Sequence, residues 1–511
     1  MWEICHVGGD IEVVYKDVVV HMVGGKVYRH FGSIEVYGMV LEGLVVEGCV
    51  WGISHILGFD IHIGESLARC SMKEVFAMSI AHTQLNHVHS RHSTVVAELD
   101  ATIIEVPVVI VGAGPAGIAT AGCLNKLKIF NIVLEKDDCP VSLWRKRAYD
   151  RLKLHLGKDF CSLPHYPFPS DFPNFVPRVD FLRYIDSYIA HFGIDINYNC
   201  SVDSAFIDQS SGKWRLLVTN NSSGAGEIYE AEFLVVASGE NSEEYIPNIK
   251  GLENYQGESM HCSKYLNGRE MYKKNVLVVG CGNSGMEIAY DLSTWGAYTS
   301  IVIRSQVHYF SKEMVYAGML LLKHFTVEKV DKIMIVMSKL KYGNMSKYGL
   351  MRPKEGPFAL KIKGGTTPTI DVGCVEKIKK GKVKVYPDIS SIKEGKVVKF
   401  VDGQHAHFDA IIFATGYKTN VLKWLKDYKG LFNENGMPKP SYPNHWKGEH
   451  GIYSAGFSRR GLEGISFDAM KIANDINFTL TSRIIFCALS AHHDPAIIIN
   501  HVQPSKIHNK H

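Results

Sequence analysis

Val106-Pro107-Val108-Val109-Ile110-Val111 runs directly into Gly112-Ala113-Gly114-Pro115-Ala116-Gly117. A continuous apolar run that ends in a glycine turn reads as a buried parallel strand. Residues 118–127 carry apolar side chains at helical spacing, and a second apolar run, 131–134, ends in Glu135. Strand, glycine turn, helix, strand is one βαβ unit. In G-x-G-x-x-G the first glycine makes the tight turn. The second lets the backbone approach a pyrophosphate, and the third lets helix and strand pack closely. The helix N-terminus behind the turn offers free N–H groups and partial positive charge to phosphates.

The same order of elements recurs. Residues 275–279 form a strand pattern, followed by Gly280-Cys281-Gly282-Asn283-Ser284-Gly285, a helical stretch over 286–295 and an apolar run over 300–303 that leads into Arg304. The residue after the second strand reads the adenosine ribose. Glu135, 23 positions after Gly112, accepts hydrogen bonds from ribose hydroxyls, as in FAD or NAD sites. Arg304, 24 positions after Gly280, suits a 2′-phosphate that a carboxylate would repel. The pair reads as FAD first and NADPH second, in an α/β chain with two Rossmann-like dinucleotide-binding domains. Two such sites imply hydride passing from NADPH to a flavin.

Bulk properties remove several alternatives. The 511 residues allow roughly three domains. Lys plus Arg is 56 against 52 Asp plus Glu, a net charge of +4, so a nucleic-acid partner is not expected. The 11 cysteines include no C-x-x-C, which disfavours a disulfide framework, a zinc ribbon and a disulfide reductase. Oxygen is then the expected electron acceptor, and no metal site is expected. The most apolar N-terminal stretch, 38–59, is interrupted by Glu42 and Glu47, so no transmembrane segment is expected. Reduced thiols and the absence of a secretory leader suit a cytoplasmic protein. Peripheral attachment to the endoplasmic reticulum stays open.

All 18 prolines lie at or after Pro107, while nine of 24 histidines lie in the first 100 residues. Residues 1–105 are therefore read as an unassigned extension: a small β-rich piece, with strands over 13–49, or an incorrectly translated upstream segment. The second reading is favoured, since the segment offers no coherent turn chemistry. The expected organisation is the first part of an FAD domain at 106–265, an inserted NADPH domain at 266–404, the rest of the FAD domain at 405–476 and an irregular tail at 477–511.

Between the two glycine turns lies Tyr255-Gln-Gly257-Glu-Ser-Met-His261-Cys-Ser-Lys-Tyr265. It resembles the flavin-containing monooxygenase signature F-x-G-x-x-x-H-x-x-x-Y/F, with tyrosine in the first position. Further runs are Tyr149-Asp-Arg-Leu-Lys-Leu-His155, Phe160-Cys-Ser-Leu-Pro164, Ala237-Ser-Gly-Glu-Asn241, Gly282-Asn-Ser-Gly-Met-Glu287, Ala414-Thr-Gly-Tyr417, Asn444-His-Trp-Lys-Gly448 and Tyr453-Ser-Ala-Gly-Phe457. Over about residues 106–476 the chain is similar to the plant YUCCA family, the indole-3-pyruvate monooxygenases of auxin synthesis.

That resemblance implies a small-molecule 2-oxo acid substrate, indole-3-pyruvate, consumed with O2, FAD and NADPH. A general monooxygenase of soft nitrogen or sulfur nucleophiles, or an inactive product of an aberrant gene model, are the rival readings. It also implies roles for single residues. His155 stands where the wider family has an asparagine that supports the oxygen chemistry, with Lys158 in the same loop. His261 is the third catalytic candidate, its alternative being a hydrogen-bonded histidine at a domain junction. Trp144, Gly257, Tyr265, Gly416 and Gly456 join the two glycine turns as cofactor-binding candidates. Gly157 stands where the family usually has proline, which is expected to loosen the loop.

Overall fold

The computed structural model describes five strands between residues 3 and 38, and the continuous chain over residues 103–491. Two compact units divide the chain: residues 1–99 with 478–511, and residues 100–477. In the first unit, Glu3–Val7, Asp10–Tyr15, Val18–Val23, Lys26–Phe31 and Ile34–Gly38 pair in chain order as an antiparallel meander. The rest of the strand pattern expected over 13–49 lies outside the described residues.

Two large sheets organise the second unit. The first is built on Ile103–Val111, whose Val108, Val109 and Ile110 are fully buried, as a parallel strand covered on both faces requires. It pairs in parallel with Asn131–Leu134 on one side and Gly226–Val236 on the other. Gly226–Val236 is long enough to use two partners on its far side. Its first half pairs antiparallel with Trp214–Asn220, and its last three residues pair in parallel with Ile452–Ser454. Val111 and Ser454 both face Val236 in register, so three parallel strands end at one level.

The second sheet has the order Glu258–His261, Ala410–Phe413, Asn275–Val279, Tyr298–Val302, Val383–Tyr386, all parallel. The chain thus leaves the first sheet at Val236, completes the second and returns at Ile452. The two crossing segments hold each other: Glu243–Glu244 pairs antiparallel with Tyr417–Lys418. This is the inserted α/β arrangement expected.

The expected borders shift. Strands Glu258–His261 and Ala410–Phe413 belong to the second sheet, not to the flavin half as borders at 265/266 and 404/405 required. Sequence periodicity identifies a strand but not its partner. The tail also differs: helix Gly461–Ala491 continues past residue 477, where irregular chain was expected. Ile472, Ala473 and Ile476 bury one side of it.

Candidate active site

The two glycine turns are built alike. Gly112 has φ +110° and Gly280 φ +112°, a backbone region that L side chains rarely adopt. A Cβ on Gly112 would stand 2.6 Å from the Ala237 carbonyl oxygen, and one on Gly280 would stand 2.5 Å from that of Ala414. In each case that carbonyl belongs to the strand exit beside the turn. Gly117 and Gly285 let their helices sit down on the turn: a Cβ on either would lie 1.9 Å from the Gly112 or Gly280 carbonyl oxygen.

Gly114 and Gly282 are different. Each is the N-cap of its helix, Pro115–Lys126 or Asn283–Thr294, without a side-chain cap. A Cβ on either would meet no protein atom within 4 Å. Packing does not ask for glycine there, whereas close approach of a phosphate does. Ala116 is buried beneath Gly456, whose added Cβ would stand 2.8 Å from the Ala116 Cβ. Both turns therefore fit a dinucleotide.

Glu135 is buried beside the first turn. Its Oε2 accepts from the Ala113 N–H at 2.7 Å and its Oε1 from the Asp137 N–H at 3.0 Å. Burial pushes its carboxyl up, partly offset by these two donors. Each oxygen keeps a lone pair for a ribose hydroxyl. Arg304 lies two residues beyond Tyr298–Val302, exposed and without a hydrogen bond or ion pair among the described residues. Its charge reaches the Cys281 thiol of the second turn, which burial otherwise pushes up. Trp144 packs on Phe181 at 4.5 Å between ring centroids.

His155 sits between the two halves. Its Nδ1 is 3.2 Å from Asn283 Nδ2 and its Nε2 is 3.5 Å from Glu287 Oε2. Asn283 also uses Oδ1, to accept from the Ile370 N–H at 2.8 Å, so its side chain is committed to protein. Tyr149 donates to Glu287 Oε2 at 3.0 Å, and Arg151 lies 3.5 Å from Glu287 and 3.6 Å from Asp291. Tyr149 also meets the Ser284 hydroxyl. Burial pushes the Glu287 carboxyl up, but His155, Lys312 and Arg151 outweigh it and hold it below the usual carboxylate range. One face of the second cradle's helix is thereby bolted to the segment 149–155.

The other expected residues have structural partners. Tyr265 is buried and donates to Asp291 Oδ2 at 2.6 Å. His261 is 1% exposed. Its Nε2 is 3.0 Å from the Gly416 carbonyl, and its Nδ1 accepts from the Ser263 N–H at 3.3 Å. Burial lowers its basicity, so the neutral Nε2–H tautomer fits, pinning the returning crossing segment. That is the junction-histidine alternative, with no ring nitrogen left for proton transfer.

Lys158 spends its ammonium on the carbonyls of Pro169, Ser170 and Phe172 at 3.1, 2.8 and 2.7 Å, holding a loop together. Three donors serve three carbonyls, leaving none for chemistry. Gly257 precedes Glu258–His261, at the opposite end of the parallel strands from Gly280, which follows Asn275–Val279. A Cβ there would strike the Tyr255 ring at 2.4 Å and the Asp409 carbonyl at 2.8 Å, so packing rather than a cofactor accounts for the glycine. Gly157 is not loose: its added Cβ would stand 2.7 Å from both Asn174 Oδ1 and the Tyr316 ring.

A family model described as flavin-binding monooxygenase-like matches residues 106–428. The chain belongs to that family. It is 50% identical over 379 residues to the probable indole-3-pyruvate monooxygenase YUCCA10 of Arabidopsis thaliana, covering 74% of this chain and 99% of that one. It is 43% identical to the indole-3-pyruvate monooxygenase YUCCA1 of Oryza sativa subsp. japonica, over 72% and 91% of the two chains. Among solved structures, a flavin-containing monooxygenase from Stenotrophomonas maltophilia superposes with a TM-score of 0.56 at 18% identity, covering 74% and 99%. OTEMO in complex with FAD and NADP superposes at 0.57 and 15% identity, over 74% and 86%. These two share the fold.

This flavin monooxygenase is a YUCCA-type chain, and four of its interface residues were not assigned from sequence: Tyr149, Arg151, Glu287 and Asp291. A signal was present. Glu287 and Asp291 stand four apart on one helix, which places both carboxylates on one face. Among the described residues no helix is long and apolar enough to cross a membrane.

Proposed function

We propose that the chain is an NADPH- and FAD-dependent monooxygenase that converts indole-3-pyruvate to indole-3-acetate in auxin biosynthesis. The observation that carries the reading is the pair of open N-cap glycines, Gly114 and Gly282, each in a turn built for a pyrophosphate, within a chain half identical to a named indole-3-pyruvate monooxygenase. Glu135 would hold the FAD ribose and Arg304 the NADPH 2′-phosphate. Bound flavin supplies the redox chemistry between NADPH and O2. The 2-oxo acid, O2, NADPH and a proton then give the acid one carbon shorter, CO2, water and NADP+.

The protein's own part is placement. His155, which the resemblance sets where the wider family has an asparagine, would be held there by Asn283 from one side and Glu287 from the other. His261, Tyr265 and Lys158 act as positioning residues that hold the crossing segment, the interface and the 157–172 loop. A cytoplasmic site of action agrees with the free cysteines among the described residues. NADPH oxidation by purified protein, with and without indole-3-pyruvate, tests the reading. Indole-3-acetate is expected as the product. Oxidation of NADPH with no acid formed, or an N- or S-oxide made from soft nucleophiles instead, would overturn it.

A further inference from the structure

Three parallel strands of the first sheet end flush at Val111, Val236 and Ser454. In open α/β sheets ligands bind beyond such carboxyl ends. The first exit is the Gly112 turn. The second continues to Glu240 and the third to Arg459, so both side chains arise at the flavin edge. Gly456 lies between, against Ala116, with its N–H donated to Asp468 Oδ2 at 2.9 Å.

Arg459 has φ +57°, a left-handed conformation that costs a non-glycine residue about 1–3 kcal/mol and gathers at functional sites. Its side chain is exposed and makes no hydrogen bond or ion pair among the described residues. It lies over Gly365: a Cβ there would stand 2.8 Å from Arg459 Cδ and 2.9 Å from Nη1. Gly365 caps helix Pro357–Gly364, which supplies Lys361. The half-buried Lys361 donates to the Thr367 hydroxyl at 2.7 Å and the Gly365 carbonyl at 3.5 Å, both neutral acceptors. Arg460 stacks on Tyr442 at 4.3 Å.

Glu240 feels both Arg459 and Lys361; burial pushes its carboxyl up against their pull, and Asp468 adds to the rise. Lys361 is pushed down by burial, against the pull of Glu240, with Arg459 and Arg460 adding to the fall. Arg459, Lys361 and Arg460 gather there around Glu240 and Asp468, and Arg459 is a guanidinium whose fork matches a carboxylate.

We propose that Arg459 and Lys361 bind the carboxylate of the 2-oxo acid substrate and so select acids over neutral nucleophiles. The proposal rests on the function proposed above. A neutral amine or thioether needs no such pair, whereas a 2-oxo acid must be held by its carboxylate to present its keto carbon.

Arg459→Gly tests it, since glycine favours the left-handed backbone and the change removes only the side chain. Lys361→Met is the second variant and Arg459→Lys the conservative one. The Kd of indole-3-pyruvate is read from perturbation of flavin absorbance, alongside KM and kcat, with bound flavin per chain as the folding control. Loss of a charge-assisted contact raises Kd and KM about 10- to 100-fold, with kcat changed much less. Arg459→Lys falls between, and the methyl ester of the substrate binds wild type and variants alike.

An unchanged Kd for the acid in both Arg459→Gly and Lys361→Met would overturn the proposal. So would equal weakening of acid and ester, or a rise in the KM for NADPH or loss of flavin instead, which would give the cations to a nucleotide phosphate. If wild-type protein converts no 2-oxo acid at all, the functional reading itself fails and this site fails with it. Conversion by wild type with variants that match it sinks this site alone.

Discussion

Glutamine at position 287 would keep the shape of the side chain and remove the charge that Arg151 and His155 face. Truncating one partner of a buried, hydrogen-bonded charge group costs about 3–5 kcal/mol. Because Arg151 is partly exposed, Glu287→Gln should sit at the lower end, read as a fall in the denaturation midpoint. The sign of the pH effect follows from the depressed carboxyl. Its contribution is fully present above the unfolded value of 4.5 and is lost as pH falls through the lower folded one. Wild type and Glu287→Gln should therefore converge in stability below pH 4.5, and a constant gap would contradict this.

Arg304 makes the second residue-scale prediction. Arg304→Glu should weaken NADPH far more than NADH, by about 10-fold or more for a charge-assisted phosphate contact. Equal effects on both coenzymes would remove Arg304 from the 2′-phosphate. These two residues also differ in how they could be read. Arg304 follows a strand at a fixed offset, so spacing alone finds it. Glu287 acts through Tyr149, 138 positions away, and no local pattern shows that contact.

At the scale of elements, the two glycine turns were legible because each function of G-x-G-x-x-G is local: a left-handed turn, an open N-cap and a helix resting on the turn. The structure separates those functions. Gly117→Ala and Gly285→Ala would force a Cβ into a carbonyl oxygen and strain the fold itself. Gly114→Ala and Gly282→Ala meet no protein atom. The latter pair should leave the unfolding free energy of the ligand-free protein within about 1 kcal/mol of wild type, while Gly114→Ala loses flavin and Gly282→Ala raises the KM for NADPH. Equal loss of ligand-free stability would make these packing glycines. At Gly257 the same physics runs in reverse. A glycine in a family signature gives no hint whether a ligand or a neighbouring ring demands it, and here the Tyr255 ring does. Strand pairing was equally hidden, so the two strands that moved between sheets could not be placed from their apolar runs.

For the whole molecule, the composition break near Pro107 falls inside a strand that begins at Ile103, and Ile103 already pairs with Ile228. The relative from Arabidopsis is covered over 99% of its length by 74% of this chain. A chain lacking residues 2–99 should therefore bind flavin as the full chain does, measured as flavin absorbance per protein. Cutting instead at residue 106 removes three paired residues and should lower stability. Loss of flavin from the longer form would show that the first unit contributes to the site.

The proposed reaction puts one atom of O2 into a 2-oxo acid as it loses CO2. Incubating the protein with NADPH, indole-3-pyruvate and oxygen-18 gas, with catalase present to remove free peroxide, tests it most directly. Mass spectrometry should find a single labelled oxygen in the indole-3-acetate formed. Acid without label, or labelled acid formed only when catalase is left out, would contradict the account.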